Sequence, residues 1–123
     1  MSETKPALVY VVDNEPIIAT TLAAILNLSG FKATAFTAPL EAIAAAKSDC
    51  PSLLISDVAM PDMNGVELAI RFETTCPTCK VLLFSGHVTT HDLLMAAHEQ
   101  GRDFQVLAKP IHPSDLLAAI RKL

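Results

Sequence analysis

Leu53–Gly65 reads LLISDVAMPDMNG. Bulky aliphatic residues at Leu53, Leu54 and Ile55 have the composition of a buried strand, yet the run passes through Ser56 to a carboxylate, Asp57, and then into a Met60-Pro61 turn. An acid at the end of an apolar strand, followed by a turn, is explained if the strand end is where chemistry happens. The neighbouring sequence supports that explanation.

Short β-rich runs recur at Leu8–Val12, Lys32–Phe36, Lys80–Phe84 and Phe104–Leu107 around Leu53–Ile55, and each is followed by a stretch with helical spacing. The first helix carries Ile17, Ile18, Leu22, Ile25 and Leu26 as its apolar positions, with Pro16 in its first turn and Gly30 as a stop. Further helices are predicted over Pro39–Lys47, Val66–Glu73, His91–His98 and Pro113–Arg121, with Gly101 as a second stop. Five strand-helix units in one small chain predict an α/β fold: a single doubly wound, five-stranded parallel sheet with five helices covering both faces. No linker, repeat or low-complexity tract divides residues 1–123, so a single domain is expected.

Composition narrows the function. The chain has 123 residues, of which 51% are hydrophobic and 18% charged, with a mean hydropathy of +0.41, as expected of a globular domain with strands buried on both faces. Nine Lys and Arg against thirteen Asp and Glu leave a net charge of −4 without a basic block, which argues against nucleic acid as a partner. The longest bulky apolar run, Ala7–Val12, is far short of the roughly 20 residues that cross a bilayer, and Glu3 disfavours a secretory leader. No membrane association and a cytoplasmic location are expected. Three cysteines, Cys50, Cys76 and Cys79, are an odd number without a secretion signal, so a disulfide framework is not expected. Cys76 and Cys79 form C-P-T-C, but the pattern precedes a strand instead of opening a helix, which disfavours redox or zinc chemistry.

In a parallel sheet all strand C-termini lie along one edge, and ligands bind there where the strand order reverses. Asp13, Asp57, Ser85 and Lys109 stand at the ends of the first, third, fourth and fifth strands. If the first and third strands flank the reversal, two carboxylates share a crevice, and unit charges 4 Å apart repel by about 4 kcal/mol at an effective dielectric near 20. A hard divalent cation relieves that repulsion. Magnesium suits it, because it takes a few carboxylate oxygens, retains waters and leaves a position for a phosphoryl oxygen.

Four motifs, VVDNEP at Val11–Pro16, LLISDVAMPDMNG, VLLFSGH at Val81–His87 and AKP at Ala108–Pro110, together resemble the receiver domains of two-component response regulators, particularly the stand-alone chemotaxis type. The resemblance covers nearly the whole chain and implies a flavodoxin-like strand order of 2-1-3-4-5. It implies that Asp57 accepts a phosphoryl group from a sensor histidine kinase or phosphotransfer protein. Asp13, Asn14, Asp57 and the backbone carbonyl of Ala59 would hold Mg2+, Lys109 would pair with a phosphoryl oxygen, and Ser85 would hydrogen-bond another. Such a domain catalyses its own phosphorylation and dephosphorylation without being an enzyme on a separate substrate. The signal would reach a downstream protein through the face made by the fourth helix, fifth strand and fifth helix. The same resemblance implies that Lys109-Pro110 is a cis peptide and that the Met60-Pro61 turn and Gly65 keep the loop clear of the metal.

Three departures from the family pattern carry expectations of their own. Asn14 replaces a second acid, so magnesium binding should be weaker. The segment Gly101–Lys109 is one residue longer than usual, with Val106 where an aromatic switch is common and Phe104 displaced by two, so that ring's response should be altered. Ala59 and His87 stand two residues past Asp57 and Ser85, where the attacking water of hydrolysis passes. The alternative function is a phosphorylation-independent, pseudo-receiver interaction module. A phosphatase on this architecture would want an acid at Ala59, and a flavin site would want more aromatics than five Phe and one Tyr.

Overall fold

Five strands alternate with five helices along the chain: β1 (Leu8–Val12), α1 (Pro16–Leu28), β2 (Lys32–Phe36), α2 (Pro39–Ser48), β3 (Leu53–Asp57), α3 (Gly65–Thr75), β4 (Lys80–Ser85), α4 (Thr90–Glu99), β5 (Gln105–Ala108) and α5 (Pro113–Arg121). The computed structural model describes residues 6–86 and 90–123. All four strand pairings are parallel, in the order β2-β1-β3-β4-β5. The order reverses between β1 and β3, as the motif resemblance implied.

Alternation along the central strands sends side chains to two layers. Val9, Val11, Leu53, Ile55, Leu82 and Phe84 pack with Leu22, Ala23 and Leu26 of α1 and with Leu116 and Ala119 of α5. Tyr10, Val12 and Leu54 pack with Ala42 and Ala46 of α2 and with Leu68 and Phe72 of α3. Leu83 joins Val58, Val66 and Ala97 of α4, against which Phe104 and Val106 also pack. Every residue of β3 is buried. The edge strands β2 and β5 are only partly covered, so burial on both faces holds for the middle of the sheet.

Local signals set the helix boundaries. Pro16, Pro39 and Pro113 each occupy a first helical turn, where a missing amide donor costs nothing. Asn64 and Glu67 form a reciprocal capping box at the start of α3. Gly30 follows α1 with φ +96°, a left-handed conformation that favours glycine.

Two expectations are corrected. Ile17, named among the apolar positions of the first helix, is 79% exposed. At about 100° per residue it points roughly 140° away from Leu22 and roughly 180° from Leu26, so it cannot share their face. The second correction concerns sulfur. Cys50, just before β3, and Cys76, at the C-cap of α3, are joined in a disulfide with a Cα separation of 5.7 Å, and Cys79 alone is a free thiol. The odd cysteine count hid this pair, because the closeness of a strand entrance and a helix end is a tertiary property.

Strand ends also differ slightly from the sequence reading. β3 continues through Ser56 and Asp57, β4 includes Ser85, and β5 is shifted by one residue to Gln105–Ala108. Asp13 and Lys109 lie one residue beyond their strands, where side chains are released from the ladder. No described helix is long and apolar enough to cross a membrane.

Candidate functional site

The end of β3 delivers Asp57 to the sheet's C-terminal edge, and the adjacent β1 delivers Asp13 beside it. Both carboxylates are removed from solvent, Asp13 at 0% and Asp57 at 4% exposure. Between them sits the ammonium of Lys109, whose Nζ is 3.1 Å from Asp13 Oδ2 and 3.4 Å from Asp57 Oδ1. The contact with Asp13 is a hydrogen bond, whereas that with Asp57 is an ion pair at longer range. Asp57 Oδ1 is therefore a buried oxygen with no hydrogen-bond partner. Leaving a buried acceptor unsatisfied costs about 1–3 kcal/mol, a cost that an incoming cation or donor would remove.

Several contacts hold this arrangement. Asp13 Oδ1 accepts the Glu15 amide at 2.8 Å, which orients the carboxylate at the start of α1. The Lys109 amide donates to Ser85 O at 3.0 Å, and the Lys109-Pro110 peptide is cis, as the resemblance implied. Lys109 Nζ also lies 5.1 Å from the centroid of the buried Phe84 ring, within cation–π range. Phe84 neighbours Asp57 across the β3–β4 ladder, so the ring supports the ammonium from the floor of the site. Sequence reading missed Phe84, since a phenylalanine in a buried strand reads only as core.

Gly65 has a reason that only the packing reveals. A Cβ there would lie 2.3 Å from the backbone oxygen of Asp57, so the absence of a side chain lets α3 start directly against the end of β3. The Gly65 amide donates to Val58 O at 2.9 Å, which ties that start to the loop after β3.

Electrostatics follow from this burial. The Asp57 carboxyl is raised above its ordinary range, first by burial and then by the charge of Asp13, with partial relief from Lys109 and a backbone hydrogen bond from Ala59. Two buried carboxylates, one with an orphaned oxygen, offer the oxygen donors that a hard cation takes. Among the described residues no three His, Cys, Asp or Glu side chains converge. Asn14 is exposed next to Asp13, and Ala59 is half-buried two residues past Asp57.

Ser85 is buried at the end of β4, paired with Ala108 and one residue beyond Phe84. His87 lies outside the described residues. Val106 of β5 and Phe104, which precedes that strand, pack on the same cluster. Phe104 lines a groove with Leu94, Met95, His98, Arg102 and Asp103. A second groove, of about 480 Å³ and mainly apolar, runs from Ile17, Ile18 and Thr21 to Pro110 and Ile111, with Lys109 at its rim. The exposed Ile17 is thus part of a surface beside the acidic site.

Residues 9–121 match the family model for the response regulator receiver domain, and the chain belongs to that family. It is 33% identical over 98 residues to the response regulator receiver protein CpdR of Brucella abortus, covering 80% of each chain. It is 28% identical to the probable transcriptional regulatory protein TcrX of Mycobacterium tuberculosis, covering 99% of this chain and 51% of that one, so it spans about half of that relative's length. A CheY-like receiver domain from Methanospirillum hungatei superposes with a TM-score of 0.83 at 24% identity, over 95% of this chain and 92% of that one, a likeness of fold. Response regulators of this family work in two-component signal transduction with histidine kinases and downstream targets, and their receiver domains generally bind Mg2+ in the acidic pocket.

Proposed function

We propose that this chain is a phosphoacceptor switch in which Asp57 takes a phosphoryl group from a histidine kinase or phosphotransfer protein. The observation that carries this reading is the buried Asp57 Oδ1, which faces the Lys109 ammonium at 3.4 Å and has no hydrogen-bond partner. A carboxylate oxygen attacks phosphorus, the bond from phosphorus to the donor's imidazole nitrogen breaks, and the products are an aspartyl phosphate and free histidine. Lys109 counters the charge that arrives, and Ser85, at the same edge, hydrogen-bonds a phosphoryl oxygen. Asp13, Asn14, Asp57 and the carbonyl of Ala59 are the residues that would hold magnesium, which supplies shielding of phosphoryl charge when bound.

In this reading residues 1–123 act as one receiver unit in the cytoplasm. The net charge of −4 without a basic block supports output through protein contacts, by way of α4, β5 and α5, and not through nucleic acid. The apolar groove beside Lys109 suits contact with the phosphoryl donor, because a partner seated there places its own reactive group near Asp57. Incubation with acetyl phosphate and magnesium should add one phosphoryl group to the intact mass. Asp57→Asn should add none while keeping the far-UV circular dichroism of the wild type. Equal labelling of the two would overturn the assignment.

Hydrolysis needs a water in line with the scissile bond, and Ala59 offers no group to hold one. Slow self-dephosphorylation is therefore expected, accelerated in Ala59→Asn, with decay of the phosphoprotein mass after donor removal as the measurement. A variant that decays no faster than wild type contradicts the water-positioning argument.

Asn14 motivates the second reading, a pseudo-receiver that signals by contact alone. Among the described residues two carboxylates meet in the site, and a neutral amide adds no charge to a metal shell. Absence of labelling by acetyl phosphate in the wild type would favour this reading.

A further inference from the structure

The Cys50–Cys76 bridge lies at the opposite end of β3 from Asp57. It closes a loop with a sequence separation of 26 that contains all of β3, the acceptor loop and α3. The two sulfurs differ in access: Cys50 is exposed after α2, while Cys76 is 1% exposed beneath the α2–α3 layer. Attack by an external thiol is therefore directed to Cys50, the exposed member of the pair.

The surroundings also suit the reduced form. Cys50 Sγ lies 3.5 Å from the carbonyl oxygens of Ala46 and Thr75, and Cys76 Sγ lies 3.9 Å from Ala46 O. A thiol released at either position has an acceptor for its S–H without movement of the backbone. Cys79, the third cysteine, is half-buried, and burial pushes its thiol up to about 11, which makes it a poor competitor in exchange.

We propose that Cys50 and Cys76 form a reversible redox site, exchanging with low-molecular-weight thiols and disulfides of the glutathione class, that opens and closes a covalent ring around the acceptor segment. In the reducing direction a small-molecule thiolate attacks Cys50 Sγ, the Cys50–Cys76 bond breaks, and Cys76 leaves as a thiolate that takes up a proton. A second small-molecule thiolate attacks the small-molecule sulfur of the mixed disulfide, which frees Cys50 as a thiol and yields the small-molecule disulfide. Two electrons and two protons pass to the protein, and the reverse sequence closes the ring. In the cytoplasm, the location proposed above, disulfides are characteristically transient or regulatory, which fits a reversible pair. That the ring serves signalling rests on the reading of Asp57 as the acceptor; the redox chemistry itself does not.

The test equilibrates the intact chain with oxidised glutathione or with dithiothreitol, unfolds it in acid, alkylates it with N-ethylmaleimide and weighs it. The oxidised chain should gain one alkyl group and the reduced chain three, interconverting over repeated cycles. Cys79→Ser should preserve the redox-dependent difference of two groups, and Cys50→Ser should abolish it. The thermal midpoint should fall by about 10 °C on reduction of the wild type and be unmoved by reductant in Cys50→Ser. Three alkyl groups after oxidation, a mixed disulfide retained on Cys50, or a difference that survives Cys50→Ser would each overturn the proposal. Acetyl phosphate labelling, read separately on the same samples, reports on Asp57 alone.

Discussion

The two ends of β3 are built on opposite terms. At its C-terminal end two buried carboxylates crowd one ammonium, and one oxygen of Asp57 is left without a hydrogen bond. At its N-terminal end Cys50 is bonded to Cys76, which packs among Ala46, Leu54, Leu68 and Phe72. The first end holds charge in a state that folding alone would not favour, and the second holds the chain by covalent and apolar contacts that folding does favour. One five-residue strand thus carries a destabilised carboxylate on a stabilised support, the arrangement expected if function and stability compete for the same segment.

If Asp57 is the acceptor, as proposed, Asp57→Asn should have the largest effect: loss of phosphoryl labelling, with the other end of the strand left untouched. It also changes how stability depends on pH. Because burial and Asp13 raise the Asp57 carboxyl in the folded state above its usual 3.8, ionisation of this group opposes folding. Its contribution is neutral below pH 3.8 and becomes increasingly unfavourable as pH rises through the raised folded value, then stays constant. Denaturant midpoints of wild type and Asp57→Asn should therefore converge in acid and separate towards neutral pH, with the variant the more stable there. Curves that separate in the opposite sense would show that Lys109 outweighs burial at this end.

Opening the disulfide comes next. A closed loop of this length contributes about 3 kcal/mol in the chain-entropy account, so Cys76→Ala should lower unfolding free energy by roughly that much while labelling at Asp57 persists. Loss of labelling in that variant would show that the two ends are not separable.

Gly65→Ala is a smaller perturbation aimed between them. The added Cβ would meet the Asp57 backbone oxygen at 2.3 Å, and a backbone atom cannot swing aside. A cost of about 1–3 kcal/mol is expected, together with slower labelling if Asp57 is the acceptor, because the start of α3 must withdraw from the end of β3. Unchanged stability by denaturant titration would mean that the loop yields more easily than its packing suggests.

The smallest change is Asn14→Asp. A charged oxygen in place of an amide should tighten magnesium binding by several-fold, on the order of 1 kcal/mol, as read by metal titration of the unphosphorylated chain. Superimposable titrations would place Asn14 outside the metal shell.

Much of the site was legible before any contact was known. Asp57 interrupts an apolar strand, Asp13 and Lys109 follow strand-like runs, and a parallel sheet gathers such ends on one edge whatever the details of packing. That inference needs only period, composition and turn chemistry, all of which act over a few residues. The helix starts at Pro16, Pro39 and Pro113, and the stops at Gly30 and Gly101, are of the same kind.

What tertiary structure alone decided is the meeting of residues far apart in the chain. Lys109 reaches Asp13 across 96 positions, with the Phe84 ring beneath it, because β5, β4, β3 and β1 lie side by side. Cys50 finds Cys76 because α3 returns antiparallel to β3 and ends where that strand begins. Ile17 remains in solvent because only one arc of α1 faces the sheet, and the apolar residues of its first turn extend beyond that arc. Local sequence sets which element forms and where it stops, through backbone dihedral preferences and capping that act within one or two turns. Which side chains then meet depends on the stacking of whole elements, and no short stretch of this chain encodes that stacking by itself.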